Sequence, residues 1–81
     1  MQQAANKKMT LAGLLDGQGG VIHQYTNDAI ASKLLSMGIL PGRSLKLVRR
    51  LPFAGGLYVK FDNQTLALRH EEAENIVVIS A

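Results

Sequence analysis

The apolar positions of this chain change period along its length, and the changes locate its elements. From Val21 to Thr26 β-branched and aromatic residues dominate, which predicts a strand. From Asp28 to Met37 the spacing turns helical. Ile30, Leu34 and Met37 fall on one stripe, widened by Ala31 and Leu35. Thr26, Asn27 or Asp28 can cap the start, and Asp28 suits the positive end of the dipole. Gly38 stands where a left-handed residue closes a helix, Ile39 is then placed to pack back on Leu34, and Pro41 prevents continuation. A helix near 28–37 is expected.

The second half alternates with period two. Leu45, Leu47 and Leu51 alternate with Lys46 and Arg50; Leu57, Val59 and Phe61 with Tyr58 and Lys60; Leu66 and Leu68 with Thr65, Ala67 and Arg69. This is the pattern of strands with one face buried. Asp62-Asn63 reads as a short turn between two of them. Glu71 to Glu74 reads as one helical turn, and Ile76 to Ile79 as a closing strand packed on both faces. Near the start, Thr10 is placed to cap a short turn in which Leu11, Leu14 and Leu15 share a face. Asp16-Gly17-Gln18-Gly19-Gly20 has turn chemistry. Residues 1–8 read as a flexible tail and 9–81 as one domain. About five short strands with one inserted helix predict a mainly β fold, a small closed barrel. Leu34, Leu47, Val59, Leu68 and Val78 are its expected core, joined by Phe61, which is in phase with Leu57 and Val59.

Composition narrows the function. Hydrophobic residues make up 47% of the 81, enough for a core despite the short chain. The absence of cysteine excludes disulfides, thiolate metal sites and a cysteine nucleophile. No apolar h-region follows Lys7 and Lys8, and no apolar run approaches the roughly 18–20 residues that cross a bilayer. The expectation is a soluble, cytoplasmic protein that does not itself span a membrane. The net charge is +3. It is concentrated between Asp28 and Asp62, where Lys33, Arg43, Lys46, Arg49, Arg50 and Lys60 occur without one acid. Such a middle suits an acidic partner surface, a membrane face or nucleic acid, or is simply a solvated face.

Catalysis needs convergent polar groups, and few converge here. Ser32, Ser36, Ser44 and Ser80 lack an evident base with an orienting acid. No carboxylate pair sits in an apolar setting. His70 and Glu74 are spaced to share a helical face, but two ligands do not make a closed metal site. The three clustered glycines lack the Lys-Ser/Thr of a phosphate loop. The chain reads as a non-enzyme with no cofactor and no metal. Nucleic-acid binding by a small basic barrel is the alternative, with Tyr58 beside Arg49, Arg50 and Lys60 as its one stacking position. Aromatics at 5% are too few to favour it, so no nucleic acid is expected.

One stretch is more specific. Leu34-Leu35-Ser36-Met37-Gly38-Ile39-Leu40-Pro41-Gly42 resembles the helix end and loop of FeoA-type domains, L-x-x-[LM]-G-[IL]-x-P-G. Leu11, Leu14, Gly17 and Val21-Ile22 precede it as in that family. Arg49, Pro52-Phe53, Gly55-Gly56, Leu66 to Arg69, Ala73, Ile76 and Val78 follow in order, so the resemblance spans about residues 9–80. Ala31-Ser32-Lys33 departs from the arginine usual in the family's helix, and Gly55-Gly56 from its Gly-Pro. The resemblance implies an SH3-like barrel and an accessory role in ferrous iron transport. It implies binding to the cytosolic part of the FeoB-type transporter, without catalytic residues or an obligatory cofactor. A weak homo-oligomer is left open.

The sequence also offers a partner-binding surface. Ile39 has a structural task, whereas Leu40 lies in a loop that no packing pattern claims. Pro52-Phe53-Ala54 is a second apolar loop. Leu40 and Phe53 are the expected anchors, with Pro52 beside them and Arg49 and Arg50 as steering charges. Each loop either plugs an end of the barrel or is offered to a partner; if both are exposed, they would form one apolar patch near Arg49 and Arg50. Arg50 is preferred over Arg49, which is in phase with Leu47 and Leu51.

Overall fold

The computed structural model describes residues 7–53 and 55–80. Among these described residues six strands and two helices follow in the order β1 (Lys8–Thr10), β2 (Gly19–Tyr25), α1 (Asp28–Ser36), β3 (Ser44–Arg50), β4 (Leu57–Phe61), β5 (Gln64–Leu68), α2 (His70–Ala73) and β6 (Ile76–Ser80). A 3-10 turn, Leu11–Gly13, follows β1. All strands lie in one sheet, ordered β1-β6-β2-β3-β4-β5, with every pairing antiparallel. The mainly β architecture with one inserted helix is as expected. Two details differ. The sheet is not closed, because β1 and β5 remain edges, and it has six strands because Lys8–Thr10 pairs with β6. The first strand was hidden by its length: three residues give no periodicity to read. Lys8 opposite Ile79 thus places the start of the sheet inside the expected tail, whose positions 1–6 lie outside the described residues.

The core gathers on one face of the sheet. Leu34, Leu47, Val59, Leu68, Val78 and Phe61 are all buried there, together with Leu11, Leu14, Ile22, Ile39, Leu45, Leu57 and Ile76. Of the helical stripe only Leu34 is fully enclosed; Ile30 is half-buried, and Leu35 and Met37 are exposed. Leu15 is also exposed, unlike Leu11 and Leu14. The 3-10 turn ends at Gly13, so Leu15 lies beyond the turn that aligns the other two, and Thr10 makes no side-chain cap.

Helix α1 is delimited as its sequence dictates. Asn27 Oδ1 accepts from the Ile30 amide at 3.1 Å and serves as the cap. At the other end Gly38 takes φ +84, its amide donates to the Leu35 carbonyl, and the Ile39 amide donates to Leu34. This is a Schellman close, in which the residue after the glycine folds back onto the helix. Ile39 is accordingly buried beside Leu34.

Helix α2 is a single turn held by a charge. Glu72 Oε1 accepts from the Arg69 amide at 2.8 Å, and Oε2 pairs with the Lys33 ammonium of α1. Burial pushes the Glu72 carboxyl up, but the Lys33 ammonium and the Arg69 amide outweigh it and hold the group below its usual value. The pair ties the two helices together across the same end of the sheet.

Candidate partner-binding surface

The structure places the expected anchors at opposite ends of β3. Leu40 lies in the α1–β3 loop and Phe53 in the β3–β4 hairpin. Seven residues of strand separate the loops, roughly 20 Å at the usual rise. Both side chains are exposed, Leu40 at 40% and Phe53 completely. They do not form the single patch expected from the sequence, since a strand that separates two loops cannot also bring them together.

The Leu40 end is tied to the body of the domain. The Tyr25 hydroxyl donates to the Ile39 carbonyl, the Gly42 amide to Ile22 at 2.7 Å, and the Arg43 amide to Leu40 at 3.2 Å. Burial raises the Tyr25 phenol above its ordinary value. Leu40 is left partly outside, as is Met37 at the helix C-cap, with Leu35 exposed on the helix itself.

The Phe53 end projects. The Leu51 amide donates to Gly56 at 2.9 Å and the Gly55 amide to Pro52 at 3.1 Å, which closes a tight turn over Pro52–Gly55. Phe53 sits in this turn with φ 58, a left-handed conformation that side chains other than Asn, Asp and His rarely adopt. Gly56 takes φ +111, and a Cβ there would stand 2.5 Å from the Leu68 carbonyl oxygen of β5. The hairpin base is therefore packed while its tip offers an unburied aromatic ring. Ala54, the third member of the expected apolar loop, lies outside the described residues.

The arginines exchange their expected places. A bulge between Leu47 and Arg49 leaves Val48 out of register, so strand alternation reverses beyond it. Arg49 pairs with Tyr58 across the ladder, and its guanidinium lies 5.8 Å over that ring on the outer face. Arg50 instead shares the face of its partner Leu57. Its guanidinium donates to the carbonyls of Ala12 and Leu14, and its amide donates to Asp16 Oδ1 at 3.2 Å. Arg50 is thus a clasp on the segment after β1, and Arg49 is the arginine that faces outward near the hairpin. The phase that favoured Arg50 assumed unbroken alternation, and no residue in the sequence announces a bulge at Val48.

The titratable groups remain dispersed. His23 is exposed where β2 shifts register, and His70 pairs with Glu74 at 3.2 Å on α2. Among the described residues no three His, Asp or Glu side chains are grouped to hold a metal ion. Ser36 donates to the Lys33 carbonyl at 2.6 Å, an ordinary helix-end bond. Among the described residues no helix is long and apolar enough to cross a membrane.

Comparison with known proteins agrees with this architecture. The family model for the FeoA domain matches residues 9–80. Among solved structures, FeoA of Stenotrophomonas maltophilia is 33% identical, covers 86% of this chain and 88% of its own, and superposes with a TM-score of 0.73. It is described as an SH3 domain protein complexed with zinc and is proposed to be a bacterial ferrous iron transport activating factor. FeoA of Chlorobium tepidum is 29% identical, with 90% of this chain and 71% of that one covered and a TM-score of 0.78. A manganese-dependent transcriptional repressor is 26% identical and superposes with a TM-score of 0.83 over 99% of this chain, which spans 45% of the repressor. None of the curated proteins matches by sequence. The fold is SH3-like, and the chain belongs to the FeoA domain family of ferrous iron transport.

Proposed function

We propose that the chain is a cytoplasmic, non-enzymatic accessory protein of ferrous iron transport that binds the cytosolic part of a FeoB-type transporter. Family membership supports the transport role. The observation that carries the binding mode is Phe53, fully exposed and held in a left-handed turn. A large aromatic ring contributes nothing to folding when wholly in water, and backbone strain at such a position tends to accompany function. Aromatic side chains are enriched at the cores of protein interfaces and among their anchors. Pro52 stiffens the turn beside it, and Arg49 supplies a positive charge on the outward face. Leu40 belongs to a second, separate contact rather than to the same one.

The test is binding of the purified domain to the cytosolic part of such a transporter. Phe53→Ala should raise Kd about tenfold or more, mainly through faster dissociation. Arg49→Ala should slow association, more so at low salt. Binding unchanged by Phe53→Ala would overturn the hairpin as the dock. Nucleic-acid binding would show itself differently, by affinity that falls steeply with salt and ignores Phe53.

A further inference from the structure

The outer face of β3 and β4 carries a feature that docking through Phe53 does not use. An open depression of about 560 Å³ is lined by Gly42, Arg43, Ser44, Leu45, Lys46, Lys60 and Asp62. Lys46 and Lys60 are register partners, directly opposite each other across the ladder. Like charges in that position repel and weaken the sheet. Nothing relieves them: among the described residues neither lysine makes an ion pair or a side-chain hydrogen bond, and both are exposed. Their flanking neighbours in the same row are Gly19 on β2 and Thr65 on β5, neither of them an acid. Gly19 has no side chain, so the space beside Lys46 stays open. Ser44 adds a hydroxyl at the rim.

Arg43 completes the arrangement. Its guanidinium lies 5.4 Å from the centre of the Phe61 ring and bonds Asp62 Oδ2. Ring and carboxylate fix the guanidinium at the edge of the depression. Asp62 cancels one charge, which leaves the paired lysines in excess. The turn that presents Asp62 is itself held in a left-handed conformation, at φ 55.

We propose that this depression is a binding site for clustered phosphate oxygens, bridged by Lys46 and Lys60 and bordered by Arg43 and Ser44. Two ammonium groups carried on directly opposed strand positions repel, and an anion carrying more than one charge relieves that repulsion more than a monovalent ion does. The same chemistry is offered by a soluble polyphosphate and by the headgroups of an anionic bilayer.

The experiment is a backbone amide NMR titration of the whole chain with inorganic triphosphate at constant ionic strength. Saturable shifts centred on residues 42–46 and 60–62 are expected. Lys46→Gln and Lys60→Gln should each raise Kd about fivefold, the factor for losing one unit-charge contact at the surface. Lys8→Gln, on the far edge strand, should change it little. Each variant is checked for an unchanged melting temperature, so a folding defect is not read as lost binding. Co-sedimentation with phosphatidylglycerol vesicles, against phosphatidylcholine controls, distinguishes the sources. Capture that depends on the same lysines assigns the site to headgroups, and triphosphate binding without capture assigns it to soluble phosphates. Scattered, non-saturating shifts, or an equal loss in Lys8→Gln, would overturn the proposal.

Discussion

The two loops that flank β3 solve opposite problems. Residues 38–43 return the chain from the helix to the sheet, and nearly every group in them is spoken for. Ile39 is buried, its carbonyl accepts from Tyr25, and the Gly42 and Arg43 amides are bonded. Residues 51–56 make a hairpin whose base is pinned at Gly56 and whose tip carries a wholly exposed phenylalanine. Both loops use left-handed residues, but to different ends. At Gly38 the positive φ permits burial of the next side chain; at Phe53 it holds a side chain away from the protein. An apolar loop is therefore not one kind of object: its hydrogen bonds show whether it completes the core or projects from it.

Substitutions sharpen that contrast. The largest effect is expected at the packed end. Leu34→Ala should cost about 3–4 kcal/mol, because Leu34 is fully buried between helix and sheet and its removal also leaves Ile39 without its Schellman contact. Chemical denaturation measures this directly, and a cost under about 1 kcal/mol would mean that the site collapses around the gap. The hairpin base comes next. Gly56→Ala should cost about 2–3 kcal/mol, since the new Cβ meets a backbone carbonyl that cannot swing aside as a side chain can. The base of the projecting loop should thus be almost as intolerant as the core, although its tip is free.

How much of this was legible beforehand depends on whether the signal was local. Helix α1 was readable to within a residue because cap, stripe and closing glycine all lie within the short run from Asn27 to Gly38. Strands β4 and β5 were readable because their alternation is unbroken. The bulge at Val48 was not, because it depends on how β3 meets β4, and with it went the choice between Arg49 and Arg50. The separation of Leu40 from Phe53 follows from topology and was equally beyond composition or period. The exposure of both residues was not decided by the sequence, because a loop residue that no period claims can equally plug an end of the sheet or stand in water. Lys46 opposite Lys60 is likewise a matter of register, invisible until the strands are paired.

Arg50 offers a smaller and more specific test. Its guanidinium binds two carbonyls of the segment that links β1 to β2. Arg50→Ala should cost about 1–2 kcal/mol, as expected for charge-assisted hydrogen bonds at a partly solvated site. Amide exchange near residues 12–16 should rise by more than at Gly38 or Ile39. Arg50→Lys should restore less than half of the stability, because an ammonium cannot reproduce the forked geometry. A neutral Arg50→Ala accompanied by weaker transporter binding would instead return Arg50 to the docking surface and remove Arg49 from it.

The smallest expected change in stability is at Phe53, and it discriminates best between a loop that packs and one that presents. A fully exposed ring buries nothing, so its removal forfeits no hydrophobic stabilisation. Its left-handed backbone costs roughly 1 kcal/mol relative to a residue suited to that region. Asparagine is such a residue. Phe53→Asn should therefore leave stability unchanged or raise it by about 0.5–1 kcal/mol, read as a higher melting temperature with the same denaturant slope. The same variant should bind the transporter's cytosolic part at least tenfold more weakly, because it keeps the turn and discards the anchor. Opposite signs for stability and binding are the mark of a side chain retained for a partner at the expense of the fold. If Phe53→Asn lowers stability by more than about 1 kcal/mol, the ring packs against the domain in solution, and the difference between the two ends of β3 disappears.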